Sequence, residues 1–324
     1  MSDKPLKKIL VTGATGQIGS ELVIALRKKY GKGNVVAAGH KRKPGEKLLE
    51  SGPFEYVDVT DKESVSKVVK KYEFNIVYHL AAVLSATGEE NPQLAWNVNM
   101  GGLYNILEVA RENKILKIFW PSSIAVFGPE APRINAPQDT VLIPRTIYGV
   151  TKVAGELLCN YYFLRFGLDL RSVRYPGIIS NETPPTGGTT DYAVEMFYEA
   201  IKTKRYTCFV REDTVLPMMY MPDCIKAAID LMETDPSKVK HRTSYNVAAM
   251  SFSAGQLAAE IKNYIPEFKC EYKPDFRQKI ADSWPMSIND SVARKEWGWK
   301  PTYGLSAMAK DMIEALSQKL KAET

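Results

Sequence analysis

Tyr148 and Lys152 stand four residues apart, and on a helix that spacing puts both side chains on one face. An ammonium held beside a phenol favours the phenolate, which makes the tyrosine a usable base near neutral pH. The chain carries the pattern a second time, at Tyr198 and Lys202. Context separates the two. Only Tyr148 follows a strand candidate that ends in serines, Trp120-Pro121-Ser122-Ser123. Tyr198 and Lys202 read as an ordinary pair on a helix surface.

A second chemical signal is Val11-Thr12-Gly13-Ala14-Thr15-Gly16-Gln17-Ile18-Gly19, directly after the first strand candidate. Gly13 permits a tight turn, Gly16 lets a diphosphate approach the backbone, and Gly19 allows the next helix to pack closely on the strand. That helix, opening at Gln17 and Ile18, offers free N–H groups and its positive dipole end to the phosphates. Three glycines also suit a plain strand-to-helix turn, but their place at the head of an alternating strand–helix series favours dinucleotide binding. The acid that holds the ribose hydroxyls of NAD is expected about 20 residues further on. Here the second strand candidate ends Ala38-Gly39-His40-Lys41-Arg42-Lys43, with no carboxylate. Read alone, the basic run favours the 2′-phosphate of NADP; a solvated basic loop is the alternative.

These groups need a frame to hold them. Lys8–Thr12, Asn34–Ala38, Phe54–Val57, Asn75–Ala82 and Leu116–Trp120 read as strands, and Gln17–Tyr30, Lys62–Tyr72 and Leu94–Asn113 carry helical spacing. Continuously apolar strands separated by helices predict an α/β fold, a doubly wound parallel Rossmann sheet covered on both faces. Beyond Ser172 the pattern loosens around Pro176, Pro184, Pro185, Gly187 and Gly188, the kind of long irregular stretch that compact domains seldom carry unless it binds something. Shorter helices follow at Ala193–Thr203, Asp223–Thr234, Ala254–Tyr264 and Leu305–Leu320. The expected organisation is a dinucleotide-binding domain over 1–175, carrying the serine, tyrosine and lysine, and a smaller C-terminal substrate-binding lobe over 176–324. The boundary is blurred, and the chain is free to cross between lobes more than once.

Composition removes other classes. Of 324 residues 45% are hydrophobic and 25% charged, enough apolar content to build a core and exclude disorder. No apolar run is long enough to cross a bilayer, and a formal charge of +6 spread along the chain gives no nucleic-acid signal. Cys159, Cys208, Cys224 and Cys270 stand singly, as do His40, His79 and His241. No spacing suits a metal, so metal-independent activity and reduced thiols are expected. The N-terminal residues carry no targeting peptide, which predicts a soluble intracellular protein.

The glycine pattern, His79-Leu80-Ala81-Ala82, Asn99, the Ser123, Tyr148 and Lys152 trio and Arg174-Tyr175-Pro176 together resemble the extended short-chain dehydrogenase/reductase family over essentially the whole chain. Within it, Pro121–Gly128, Tyr148–Lys152, Gly187–Ala193, Pro217–Asp223 and Ile280–Pro285 are similar to the short-chain L-threonine 3-dehydrogenases. The resemblance implies that Tyr148 takes the proton of the threonine hydroxyl, Lys152 lowers its pKa and binds the nicotinamide ribose, and Ser123 hydrogen-bonds the reacting oxygen. Ser122 is the poorer partner, because adjacent strand residues face opposite ways. Hydride would pass to NAD, giving 2-amino-3-oxobutyrate. His40, Asp58 and Val59 would meet the adenosine end, Leu80, Ala81, Ala82 and Asn99 the cofactor channel, and Tyr175 and Ile178 the nicotinamide. Leu84, Gly188, Thr189, Thr190 and Trp284 would meet substrate beside Ser123 and Tyr148. Such relatives carry an aspartate at the position of His40 yet follow it with a similar Arg-Lys-Pro, so NAD is expected over NADP. Relatives in eukaryotes are often found in the mitochondrial matrix.

On local sequence alone, Gly187-Gly188-Thr189-Thr190 suits either a backbone cradle for the carboxylate of an amino acid or a turn with Thr190 as helix cap; the resemblance favours the cradle. The helix from Tyr148 to Phe166 is apolar nearly all round, and one sheet covers one side only. A homodimer through helices 94–113 and 148–166 is therefore expected, with cover by the second lobe as the alternative. The rival activity is a nucleotide-sugar epimerase or dehydratase of the same fold. A non-catalytic dinucleotide sensor would not need the spaced tyrosine and lysine.

Overall fold

The computed structural model describes residues 7–185 and 188–322; Gly187, and the first six residues on which the targeting expectation rests, lie outside them. The strands, in chain order, are β1 (Ile9–Thr12), β2 (Val35–Gly39), β3 (Phe54–Tyr56), β4 (Ile76–His79), β5 (Lys117–Phe119), β6 (Ser122–Ser123), β7 (Asp169–Arg171), β8 (Val173–Tyr175), β9 (Gly177–Ile179), β10 (Arg205–Cys208), β11 (Val215–Tyr220), β12 (Tyr245–Asn246), β13 (Met250–Ser253) and β14 (Lys269–Tyr272). The central sheet runs β3-β2-β1-β4-β5-β7 and is parallel throughout. Beyond Trp120 and Ser172 its last two strands continue as β6 and β8, and β12 joins β8. The fold is the doubly wound α/β sheet that the alternation predicts. Its order reverses between β1 and β4, which places a crevice outside the carboxyl ends of those strands.

Every residue of β1 and β2 is buried, because both faces carry helices. On one face Leu10, Val36, Val77 and Ile118 pack with Val65, Leu103, Leu107 and Cys159 from the helices Lys62–Tyr72, Gly102–Glu112 and Ile147–Phe166. On the other, Val11, Ala37, Tyr78 and Phe119 pack with Leu22 and Leu26 of Gln17–Tyr30 and with Cys224 and Leu231 of Met221–Glu233. Late parts of the chain thus complete the core of the early strands. A further core joins Phe127, Phe197, Met218, Leu257 and Met312, around β11, which lies between the parallel β9 and the antiparallel β13.

Two helices depart from expectation in ways that matter for the site. The stretch read as one helix from Leu94 to Asn113 is two, Pro92–Trp96 and Gly102–Glu112, joined by a wide π-helical turn at Asn97–Gly101. Such turns re-aim side chains, often at functional sites, and this one contains Asn99. The helix Ile147–Phe166 begins one residue earlier than expected, where Thr146 accepts a hydrogen bond from the Gly149 N–H. Its sheet-facing side is formed by Gly149, Thr151, Lys152, Gly155, Glu156, Cys159 and Tyr162. Gly155 lets the helix lie close, since a Cβ there would sit 2.4 Å from the Trp120 ring. Several of its apolar residues face outward instead: Leu157 is 60% and Leu164 73% exposed, and Val150, Tyr161 and Phe166 are exposed with them. Among the described residues no helix is long and apolar enough to cross a membrane.

Candidate active site

A cleft of about 320 Å³ opens at the reversal point of the sheet, walled by the glycine turn, the segment after β4, the end of β6, the start of the Ile147–Phe166 helix, Tyr175–Ile178, Gly188–Asp191 and Trp284. Ser123, Tyr148 and Lys152 meet on its floor. Strand β6 delivers Ser123, and the Thr146 cap fixes the helical turn that carries Tyr148. Ser123 bears on the phenol of Tyr148, and its own oxygen accepts the Ala125 N–H at 3.2 Å. The strand alternation holds: Ser122 points the other way and donates to Glu156 at 2.6 Å. Glu156 is also gripped by both arms of Arg174 at 2.8 Å in a fully buried pair. That pair ties the helix to β6 and β8 behind the floor.

The electrostatics differ from the sequence expectation. Lys152 Nζ donates to the Pro121 carbonyl at 2.6 Å and lies 5.4 Å from the centre of the Tyr148 ring. Burial pushes the Tyr148 phenol up to about 12, with the Ser123 hydrogen bond the force that opposes it. Burial likewise brings the Lys152 amine down to about 7. Desolvation, rather than the neighbouring ammonium, dominates Tyr148, because a dry site disfavours the charged form of both groups. With the amine 5.4 Å from the ring, a charge on either group would favour the opposite charge on the other.

The glycine turn is built as its sequence predicts. Gly13 takes φ +71°, and a Cβ on it would fall 2.5 Å from the Ala81 amide nitrogen. A Cβ on Gly19 would strike the Gly13 carbonyl at 2.2 Å. The helix Gln17–Tyr30 starts at Gly16 with no side chain capping it, and the buried Gln17 amide nitrogen on the cleft wall has no partner among the described residues. Open helix-start N–H groups and an unused donor fit a diphosphate, so these residues suit a dinucleotide. Ile18, Leu80, Ala82, Tyr175 and Ile178 complete this part of the wall. Ala81 and Asn99 act from behind it. Ala81 lies under Gly13, and Asn99 bonds the Val83 N–H at 2.8 Å, the Val83 carbonyl at 3.1 Å and the Thr151 hydroxyl at 3.1 Å. At the far end, half-exposed His40 approaches Asp58 at 3.4 Å. The Asp58 carboxyl is held below its usual value chiefly by the Thr60 hydroxyl. Val59 is buried against Gly102.

At the other end of the cleft Leu84, Gly188, Thr189, Thr190 and Trp284 line the wall, but the carboxylate cradle is not available at Gly188. Its N–H already donates to the Asp191 carboxylate at 2.8 Å. Asp191 rather than Thr190 stands at the N-terminal boundary of the helix Tyr192–Lys202, so the dipole end faces a carboxylate of the chain itself. Asp191 and Ser85, whose hydroxyl lies 3.2 Å from that of Thr189, are cleft residues that sequence reasoning missed. The aspartate directly after Gly-Gly-Thr-Thr was the available signal; nothing local marked Ser85. Arg42 reaches the cleft too. Tyr198 and Lys202 have nearly the same spacing as the pair on the floor, 5.5 Å from amine to ring, but line a different, open groove. No group of three or more His, Cys, Asp or Glu side chains among the described residues is placed to hold a metal ion.

The family described as NAD dependent epimerase/dehydratase matches residues 9–248. The X-ray structure of L-threonine dehydrogenase from Clostridium difficile superposes with a TM-score of 0.95 at 53% identity, covering 98% of this chain and 99% of that one. The holo form of a GalE-like L-threonine dehydrogenase from Cupriavidus necator gives 0.93 at 51% identity, over 95% of this chain and 99% of its own. An uncharacterized epimerase/dehydratase of Staphylococcus saprophyticus is 51% identical over 319 residues, 98% of this chain and 99% of the relative.

Proposed function

The chain belongs to the NAD dependent epimerase/dehydratase family, and we propose that it is an oxidoreductase that converts L-threonine to 2-amino-3-oxobutyrate by oxidising the β-hydroxyl. The observation that carries this reading is the meeting of Ser123, Tyr148 and Lys152 in one cleft with a glycine turn suited to a diphosphate. The bound nicotinamide dinucleotide, NAD in this reading, supplies the hydride acceptor. Tyr148 takes the hydroxyl proton, Ser123 holds the reacting oxygen, and Lys152 in its charged form stabilises the phenolate. Asp191 receives the ammonium of the amino acid, and the hydroxyls of Ser85 and Thr189 receive its carboxylate. Among the described cleft-lining residues only Arg42 and Lys152 are cationic, a poor lining for the diphosphate of a nucleotide sugar, which is the competing substrate class. Cofactor reduction is to be followed with L-threonine, L-serine, simple alcohols and UDP-glucose. Faster turnover of UDP-glucose or an alcohol than of L-threonine would reject the assignment.

The proposed assembly is a homodimer. Val150, Leu157, Tyr161 and Leu164 of one helix and Leu94, Trp96 and Tyr104 of its neighbours are exposed large apolar residues, a surface suited to an isologous four-helix contact. Sedimentation at micromolar concentration tests it: Leu157→Glu should shift a dimer to monomer, and a monomeric parent protein ends the proposal.

A further inference from the structure

A second groove, of about 550 Å³, flanks the dinucleotide cleft on the outer side of the glycine turn. Arg42 lines both cavities, so the two adjoin at the end of β2. Thr15 lines the groove and lies against Gly39, where a Cβ would meet its methyl at 2.9 Å and its hydroxyl at 3.3 Å. The groove therefore begins where the adenosine ribose of a dinucleotide rests in this fold. It is cationic. Lys28, Arg42, Lys43 and Lys47 line it, and of these only Lys47 has an ionic partner among the described residues, Glu182 at 2.9 Å. The groove's other acid, Glu21, accepts a hydrogen bond from Ser180, and burial pushes its carboxyl up to about 7. Little negative charge is left to answer Lys28, Arg42 and Lys43.

The usual guard against a phosphorylated ribose is also missing. A carboxylate at the end of β2 would hold both ribose hydroxyls and repel a 2′-phosphate; His40 stands there. The nearest acid, Asp58, spends one oxygen on the Thr60 N–H and hydroxyl and turns the other toward His40. We infer that this groove seats a phosphate on the 2′-oxygen of the adenosine ribose, so that the chain binds NADP as well as NAD. The inference rests on the dinucleotide site of the proposed function. Arg42 is its principal anchor, because a guanidinium presents a planar fork to phosphate oxygens, with Lys43 and Lys28 adding charge and Thr15 a hydroxyl.

Titration calorimetry of the full-length protein with NAD, NADP, ADP and 2′,5′-ADP tests this without turnover. The adenosine probes isolate the 2′-phosphate from the nicotinamide half. The expected result is 2′,5′-ADP bound at least as tightly as ADP, and NADP within about tenfold of NAD. Loss of a charged hydrogen bond should make Arg42→Ala weaken 2′,5′-ADP by about tenfold or more and ADP by less than about threefold. His40→Asp should weaken 2′,5′-ADP by about tenfold or more and tighten ADP, whose free ribose hydroxyls the new carboxylate would hold. The inference is overturned if 2′,5′-ADP binds about a hundredfold more weakly than ADP, or if Arg42→Ala weakens both probes equally. Binding of ADP and NAD alone would reject the 2′-phosphate seat and spare the dinucleotide site; binding of none of the four would reject both.

Discussion

The two ends of the cleft are made differently. The proposed dinucleotide end is backbone: one contiguous turn in which Gly13 and Gly19 let main chain pass main chain at distances no side chain would allow. The proposed substrate end is side chain, gathered from segments far apart in sequence: Ser85, Tyr148, Thr189, Asp191 and Trp284. A backbone site tolerates few substitutions but is set by local geometry. A side-chain site can be retuned one residue at a time, and each of its groups depends on distant packing.

The contrast can be tested by perturbing one end and reading the other. The largest effect belongs to the floor they share. Tyr148→Phe should lower kcat/KM by about 10²–10⁴ while NAD affinity, read by calorimetry, stays within about threefold. Tyr198→Phe should leave turnover unchanged, and equal damage from both would show that the wrong pair had been chosen. Next is the pH profile. A base must lose its proton to act, so the rate should rise with pH, and a charged Lys152 brings that rise to lower pH. Lys152→Ala removes the charge and should move the rise alkaline by about 1–3 units; an unmoved profile would separate Lys152 from the chemistry.

Smaller effects should sort by end. Gly13→Ala faces both φ +71° and the Ala81 amide, and should cost about 1–3 kcal/mol of stability by thermal unfolding as well as NAD affinity. Gly188→Ala would meet only the Asp191 carboxylate, at 2.9 Å; it should raise KM for threonine and spare NAD binding. Asp191→Asn removes the negative charge proposed for the ammonium. It should raise KM for threonine by about tenfold or more, the loss expected of one charged hydrogen bond, with NAD affinity unmoved. Loss of NAD affinity in Asp191→Asn would mean that the two ends are not independent.

Features that depend on neighbours along the chain were legible in its residues alone. The parallel sheet follows from buried β-strand runs between helices, the tight glycine turn from glycines at fixed offsets, and the Tyr148–Lys152 pairing from the pitch of a helix. Strand alternation was enough to choose Ser123 over Ser122. Only the tertiary structure decided what depends on residues distant in sequence. It placed Asp191 on the Gly188 N–H, where local sequence left cradle and turn open and the family resemblance favoured the cradle, and brought Ser85 to Thr189 across the cleft. It also turned Asn99 inward through a wide helical turn, to brace the segment after β4. Burial, which no window of sequence reports, set the acidities of Tyr148 and Lys152 against the sign expected from their spacing. Desolvation sums over every atom packed around a group, and most of those atoms come from elsewhere in the chain.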